Sequence, residues 1–238
     1  MGETPVLEII ATSAADAAAA EAGGADRIEL VSAMSEGGLT PSCGIIEQVA
    51  AAVAIPVYVM IRPHSRSFCF SSDEIRAISA DIRTARSLGA SGIVVGALID
   101  CGMVDEAALR EWIGAAEGLP VTFHRAFDES ENLERALETI ARYPEVRRIL
   151  TSGGKPSALE AADDLKRLAL LGETLNIAVM AGAGLKVETL ESFVRQTGVR
   201  EVHFGSGVRY GGSFRYPVDP ELVAKAKQAL RSGLKEVL

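Results

Sequence analysis

Short segments rich in Val, Ile and Leu alternate with helical patterns along this chain. Strands that alternate with helices need crossover connections, and they therefore form a parallel sheet. We count eight such pairs in 238 residues, which predicts a closed (β/α)8 barrel of the TIM type. A doubly wound open sheet is the alternative, but no Gly-x-Gly-x-x-Gly turn follows the first strand to support it.

Hydrophobic periodicity sets the bounds of the predicted elements. Strands are expected at residues 6–10, 27–31, 56–61, 92–97, 120–125, 147–151, 176–181 and 200–205. Helices are expected near residues 14–22, 42–53, 72–88, 105–117, 131–142, 156–171, 186–196 and 219–232. Because a hydroxyl satisfies amide donors of a first turn, N-caps are expected at Ser13, Thr40 and Ser72. Glycines expected to end helices in a left-handed conformation are Gly23, Gly89, Gly172 and Gly198.

The composition fits a single domain with one hydrophobic core, and the charge limits the classes of binding partner. The chain is 48% hydrophobic, and no charge block or Pro/Ser-rich linker divides residues 1–238, so one domain is expected. A net charge of −8 leaves no evident basic face for a nucleic acid or an anionic membrane. The apolar runs are only strand-length, and the N-terminus lacks the features of a signal peptide. With three widely spaced cysteines and no disulfide framework, the cytoplasm is the expected compartment.

Charged side chains occur where the predicted strands end. Because the loops after barrel strands open on one face, where active sites of this fold lie, these side chains predict one site. A barrel end built for stability would carry Val, Ile and Leu, as we expect at the opposite strand ends. Buried ion pairs that hold the barrel mouth together are the alternative interpretation. The residues are Glu8, Glu29, Arg62, His124, Arg125 and Asp128.

Several of these residues are candidates for acid–base catalysis. Glu8, Glu29 and Asp128 are candidate general bases, and His124 is a candidate acid or base that titrates near neutrality. The set suits proton transfer or hydrolysis and does not choose between them. His203 lies inside the eighth predicted strand and can point either way, so a structural role is favoured for it.

Other residues are candidates for binding an anionic group of a substrate. Arg62 and Arg125 are bidentate donors for carboxylate or phosphate. Glycine-rich loops follow the seventh and eighth strands, where barrels often bind phosphate through backbone amides. Tight-turn chemistry alone is the alternative explanation for these glycines. The predicted loop positions are Thr151, Ser152, Gly182, Gly184, Gly205 and Ser206.

Five blocks of this sequence resemble the CutC family of copper homeostasis proteins. The blocks occur in the family's order, and the resemblance covers roughly residues 6–206. It implies a TIM-type barrel and an association with copper homeostasis. The blocks are residues 23–30, 36–42, 60–63, 121–128 and 149–154.

The resemblance implies copper as a cofactor, but the ligands differ. Family members that hold copper carry cysteines at the positions of Ile10 and Val31, and an aliphatic side chain cannot replace the thiolate that Cu(I) prefers. The usual copper site is therefore expected to be absent. Cys43 and Cys69 remain as candidate metal ligands, with Cys101 in a neighbouring loop, and these thiols either meet or belong to unrelated loops. The same loops also contain Met34, His64 and Met103.

The polar loops 35–41 and 64–70 are candidate lids, and the aromatic tail 210–217 fits a subunit contact or a pocket cover equally well.

The sequence predicts an enzyme acting on a small polar ligand, with an anionic group near the glycine loops and the reacting centre near His124 and Glu29. A non-catalytic Cu(I)-binding homeostasis protein is the alternative. An oligomer is compatible with either interpretation.

Overall fold

A computed structural model describes residues 4–235, and the ends of the predicted domain, residues 1–3 and 236–238, lie outside the described residues. Eight parallel strands pair in sequence order and close into a barrel. The predicted TIM-type (β/α)8 barrel is confirmed. Within residues 4–235, no helix is long and apolar enough to cross a membrane.

The observed strands and helices follow the predicted alternation. The strands are β1 (Val6–Ala11), β2 (Arg27–Leu30), β3 (Val57–Met60), β4 (Gly92–Val95), β5 (Val121–Phe123), β6 (Val146–Thr151), β7 (Ala178–Ala181) and β8 (Glu201–Phe204). The helices are α1 (Ala14–Ala22), α2 (Cys43–Ala52), α3 (Ser72–Ser87), α4 (Glu106–Ala116), α5 (Leu133–Ile140), α6 (Ala162–Leu175), α7 (Val187–Thr197) and α8 (Pro220–Lys235).

The main apolar core lies between the barrel and its ring of helices. Alternate strand residues such as Leu7, Ile9, Ile28 and Leu30 are fully buried and belong to one cluster with the apolar helix faces. Side chains alternate along a strand, so the residues between them face the inside of the barrel. The outward aliphatic positions therefore hold the helices, and the inward positions are left for polar chemistry.

Charged side chains fill the barrel interior at its amino-terminal end as well. Arg27, Arg148 and Glu201 are buried there, so the prediction that these strand ends carry Val, Ile and Leu is wrong. The physical reason is the alternation: the aliphatic side chains of these strands face the helices. Glu201 accepts hydrogen bonds from Arg27 at 2.7 Å and from Arg148 at 2.9 Å, so the buried charges are paired.

The first helix begins as predicted, whereas the next two begin at other caps. Ser13 is the N-cap of α1. The caps of α2 and α3 are Ser42 and Ser71, so the predictions of Thr40 and Ser72 are wrong. Both observed caps have extended backbone immediately before the first helical residue, where a hydroxyl reaches the free amides. Thr40 instead binds the loop after β3, and Ser72 already lies inside α3.

Two of the four predicted glycine stops are confirmed. Gly89 and Gly198 adopt left-handed conformations with φ of 94° and 74°. Gly23 follows α1 with a right-handed φ of −78°, so its predicted conformation is wrong. Gly172 lies inside α6, because close packing requires glycine there: a Cβ would lie 2.6 Å from a backbone oxygen. The helix ends at Leu175 with Asn176 as its left-handed C-cap, and it begins at Ala162 because a 3-10 turn precedes it.

Candidate active site at the barrel mouth

The carboxyl ends of the strands surround a cavity of about 450 Å³. Apolar residues such as Ile10, Met60 and Phe68 share its wall with the glycine-rich loops after β7 and β8. A concave surface of this mixed character suits a small molecule. The ionisable residues that line the cavity are Glu29, Glu36, Arg62, His124, Arg125, Asp128, Glu129 and His203.

Glu29 and His203 form a buried acid–base pair in the wall of this cavity. The Oε2 atom of Glu29 lies 3.6 Å from Nε2 of His203. Burial raises the pKa of Glu29 to about 7, although the facing imidazole opposes the shift. Burial disfavours a charged His203, but the carboxylates of Glu29 and Glu8 outweigh it and raise the pKa of the imidazole. A buried carboxyl with a raised pKa that faces an imidazole in a cavity is a candidate for acid–base catalysis near neutral pH.

Glu8 orients His203 through a hydrogen bond made outside the cavity. Its carboxylate is fully buried, forms an ion pair with Arg27, and accepts a hydrogen bond from Nδ1 of His203 at 2.7 Å. Burial alone would raise the pKa of Glu8, but these two partners lower it to about 2. Glu8 does not line the cavity. Because an ionised carboxylate only accepts, the Nδ1 atom of His203 keeps its proton and its Nε2 atom is the exchanging position.

His124 lines the cavity as a neutral imidazole. It is 3% exposed, and its ring packs against Phe68 with the centroids 5.0 Å apart. Burial lowers its pKa to about 3, and the positive charge of Arg62 adds to the effect. Both effects oppose the predicted titration of His124 near neutrality, because within residues 4–235 no carboxylate pairs with this ring as Glu8 pairs with His203.

Arg62 brings a positive charge to the cavity without an ion-pair partner within the described chain. Its guanidinium lies over the ring of Phe68, 4.5 Å from the centroid, and Nη1 reaches the carbonyl oxygen of Glu36 at 3.4 Å. Burial lowers the pKa of Arg62, with Glu129 and Glu36 opposing, yet an arginine remains charged at neutral pH. This residue is therefore available to an anionic ligand.

Asp128 organises the loop after β6. Its carboxylate accepts hydrogen bonds from the Thr151 hydroxyl at 2.5 Å, from the Ser152 amide at 3.0 Å and from the Gly154 amide at 3.1 Å. Arg125 donates to the same carboxylate at 2.8 Å, which largely neutralises both charges. Asp128 and Arg125 line the cavity, whereas Thr151 and Ser152 lie beside it and hold the loop in place.

The loops after β7 and β8 present free backbone amides. Of the predicted anion-binding positions, Gly184, Gly205 and Ser206 line the cavity and Gly182 does not. Ala183 and Gly184 are both left-handed, with φ of 71° and 74°. Within residues 4–235, the amide groups of Gly184 and Ser206 meet no protein acceptor. Such amides attract anions without a charged side chain.

The described residues do not fit a thiolate copper site. Ile10 and Val31, the aliphatic residues at the expected copper-ligand positions, pack in an apolar cluster with Met60. Cys43 is exposed at the start of α2, and Cys69 is half-buried, with burial and Asp100 raising the pKa of its thiol. Within the described chain, none of the three cysteines belongs to a group of three close ligand atoms. The one group there with three potential ligand atoms close together is Glu8, Glu29 and His203, which lack the softness that Cu(I) prefers.

The tail after β8 contributes to the wall of the cavity. Phe214 of this tail lines the cavity. Buried Arg209 holds the tail in place by donating hydrogen bonds to the Asp16 carboxylate at 2.8 Å. It also donates to the carbonyl oxygens of Ile10 and Tyr216, at 3.0 and 2.9 Å. The two candidate lids also contribute to the wall, through Glu36, Gly37 and Phe68.

Sequence reasoning favoured a structural role for His203, and it left the tail 210–217 open between a pocket cover and a subunit contact without singling out Phe214. The short β8 strand does not reveal which face its histidine takes, and only its pairing with β1, which sets His203 beside Glu8, decides the question. No signal in the sequence places Phe214, because its position depends on the long-range contact between Arg209 and Asp16.

Comparisons with known proteins agree with the fold. The model of the CutC family matches residues 6–208. A CutC family protein from Caulobacter vibrioides is 45% identical over 215 residues, which cover 90% of this chain and 82% of that protein. The human copper homeostasis protein cutC homolog is 43% identical over 198 residues, covering 83% and 72% respectively. The solved structure of a CutC from Streptococcus agalactiae has a TM-score of 0.78 at 28% identity, covering 85% of this chain and 98% of that one.

Proposed function

The chain belongs to the CutC family, and we propose that its barrel mouth is the active site of an enzyme that transfers protons on a small molecule with an anionic group. One observation carries this proposal. Three cavity-lining residues each keep a buried polar atom without a partner in the described chain: Oε1 of Glu29, Nε of Arg62 and Nε2 of His124. An unsatisfied buried polar atom costs about 1–3 kcal/mol, so three around one cavity favour a polar ligand there.

The proton chemistry belongs to Glu29 and His203 in this proposal. Glu29 takes or gives the proton at the substrate, and we assign its relay to Nε2 of His203, which lies 3.6 Å from Oε2 of Glu29. Glu8 is a positioning residue, since it stays ionised and keeps the proton on Nδ1 of His203. This division supports general acid–base catalysis near neutral pH.

The anionic group is expected between Arg62 and the loops after β7 and β8. Arg125 is neutralised by Asp128, whereas Arg62 has no ion-pair partner in residues 4–235. The free amides of Gly184 and Ser206 add positive potential on the side of the cavity where barrels often bind phosphate. Phosphate and carboxylate compounds are therefore the proposed substrate class, in preference to neutral polyols.

Thermal-shift screening with inorganic phosphate, phosphorylated sugars, carboxylic acids and the matching neutral sugars tests this proposal. Phosphorylated or carboxylated compounds should stabilise the protein, and Arg62→Ala should weaken their binding by about 1.5–3 kcal/mol by removing a charged donor. Arg66→Ala is the matched control, because the Arg66 side chain is 72% exposed and pairs with Glu74 outside the cavity. Stabilisation by neutral sugars alone would contradict the anionic half of the proposal.

Copper homeostasis is the broader physiological role that we propose, because the human relative bears that name. A non-catalytic Cu(I)-binding protein remains the alternative, with Cys43 and Cys69 as its predicted ligands. Anaerobic Cu(I) titration distinguishes the two: the weak binding expected from free thiols should disappear in the Cys43→Ser, Cys69→Ser double variant. Tight stoichiometric binding that survives both substitutions would favour a copper protein with other ligands.

The setting of this activity follows from the same residues. All three cysteines are unpaired, which fits a reducing compartment, and we place the protein in the cytoplasm. With a net charge of −8, a small molecule remains the proposed partner, with neither nucleic acid nor membrane.

A further inference from the structure

The backbone fixes the tautomer of His124. The amide of Ala126 donates a hydrogen bond to Nδ1 of this imidazole at 3.1 Å, so Nδ1 must carry the lone pair. A neutral imidazole has one donor and one acceptor nitrogen, and the proton therefore lies on Nε2. Gly96 encloses the Nδ1 edge, since a Cβ there would lie 2.6 Å from Nδ1. The ring cannot turn over without losing this arrangement.

The Nε2–H group of His124 is a buried donor without an acceptor in residues 4–235. The ring terminates β5 and lines the same cavity as Glu29, which projects from β2 three strands away around the barrel. Arg62, also in the cavity wall, disfavours a second proton on the imidazole, and burial acts in the same direction. The cavity therefore has a neutral hydrogen-bond donor in addition to its carboxylate base and its cationic group.

We infer that Nε2–H of His124 donates to the carbonyl oxygen of the substrate, and that the substrate class is a small anionic aldehyde or ketone with a C–H bond beside the carbonyl. This inference rests on the proposed function and narrows its chemistry to reversible enolisation. The Glu29 carboxylate takes the proton from carbon, the C–H electron pair becomes the C=C bond, and the carbonyl π pair moves to oxygen. The His124 donor stabilises the enolate oxygen, and return of the proton to carbon restores the carbonyl compound.

The ligand-free part of the inference is tested by long-range 1H–15N NMR of the full chain with 15N-labelled histidine. The three histidines are assigned through their backbone connectivities. His124 should show a proton on Nε2, a bare Nδ1 and no titration between about pH 5 and 8. A proton on Nδ1, or a titration midpoint in that range, overturns the inference and leaves the roles of Glu29 and Arg62 intact.

The ligand-dependent part uses 2-phosphoglycolate, whose carboxylate imitates an enolate, and glycerol 3-phosphate, which lacks that acceptor. The wild type should bind 2-phosphoglycolate more tightly, and His124→Ala should remove about 10- to 100-fold of its affinity while glycerol 3-phosphate binds as before. His124→Gln, which keeps an N–H donor, should recover part of the loss. His64→Gln is the control, because His64 pairs with Glu74 outside the cavity.

The possible outcomes distinguish failure of the enolisation inference from failure of the proposed anionic site. If both phosphate compounds bind equally, or if His124→Ala weakens them equally, the inference fails while the anionic site stands. If neither compound binds the wild type, the inference and the anionic part of the proposed function fail together.

Discussion

Neighbouring charges give the two histidines of the barrel mouth opposite properties. His203 faces Glu8 and Glu29, which together raise the pKa of its imidazole despite burial. His124 faces Arg62 and a backbone amide, and burial lowers its pKa to about 3. The first histidine can move a proton at neutral pH, and the second can only donate or accept a hydrogen bond.

Glu29→Gln tests the buried carboxyl through the pH dependence of stability. The folded-state pKa of Glu29 is about 7 against an ordinary 4.5, so the folded state holds the proton more tightly. The associated stability is present below about pH 4.5 and is lost as the pH rises through 7. Because Gln cannot ionise, the variant should lose about 1–3 kcal/mol less free energy of unfolding than the wild type between pH 5 and 8.

Urea unfolding at several pH values measures this difference. Glu47→Gln, at an exposed position on α2, serves as the control and should keep the wild-type pH dependence. Identical pH slopes for Glu29→Gln and the wild type would show that Glu29 titrates as an ordinary carboxyl.

At the scale of the elements, the tail after β8 is fixed by one buried ion pair. Arg209 and Asp16 join the tail to the start of α1, and this junction sets Phe214 against the cavity. Arg209→Met should lower the free energy of unfolding by about 3–5 kcal/mol, because it leaves the Asp16 carboxylate buried without its cation. Arg215→Met, at an exposed position of the same tail, is the matched substitution for urea unfolding. Equal stability of the two variants would mean that the ion pair does not hold the tail.

The elements that could be predicted from sequence are those set by local patterns. Alternating aliphatic residues located all eight strands, and charged residues at the strand ends brought Glu29, Arg62 and His124 to one cavity. The caps at Thr40 and Ser72 failed because adjacent hydroxyls compete and tertiary contacts decide between them. The pairing of a residue across the barrel depends on register and closure, which a local pattern does not contain.

At the scale of the whole molecule, paired charges run through the barrel from its floor to its mouth. Successive ion pairs link five buried side chains, and the last pair is the widest at 3.6 Å. In order, they are Glu201, Arg27, Glu8, His203 and Glu29. The guanidinium groups of Arg27 and Arg148 both lie against the ring of Tyr58, at 5.2 and 5.1 Å from its centroid. Replacing these charged residues with aliphatic side chains would keep a barrel core, but it would remove the ion pairs that position Glu29 and His203.

Metabolite profiling measures whether the barrel mouth is an active site. Wild-type protein and Glu29→Gln are incubated separately with a cellular metabolite extract, and mass spectrometry follows both the compounds consumed and the compounds retained on the protein. We expect the wild type to consume a small phosphate or carboxylate compound. We expect Glu29→Gln to retain this compound without consuming it. Consumption at equal rates by both proteins, or no consumed or retained anionic metabolite with the wild type, would contradict an active site at the barrel mouth.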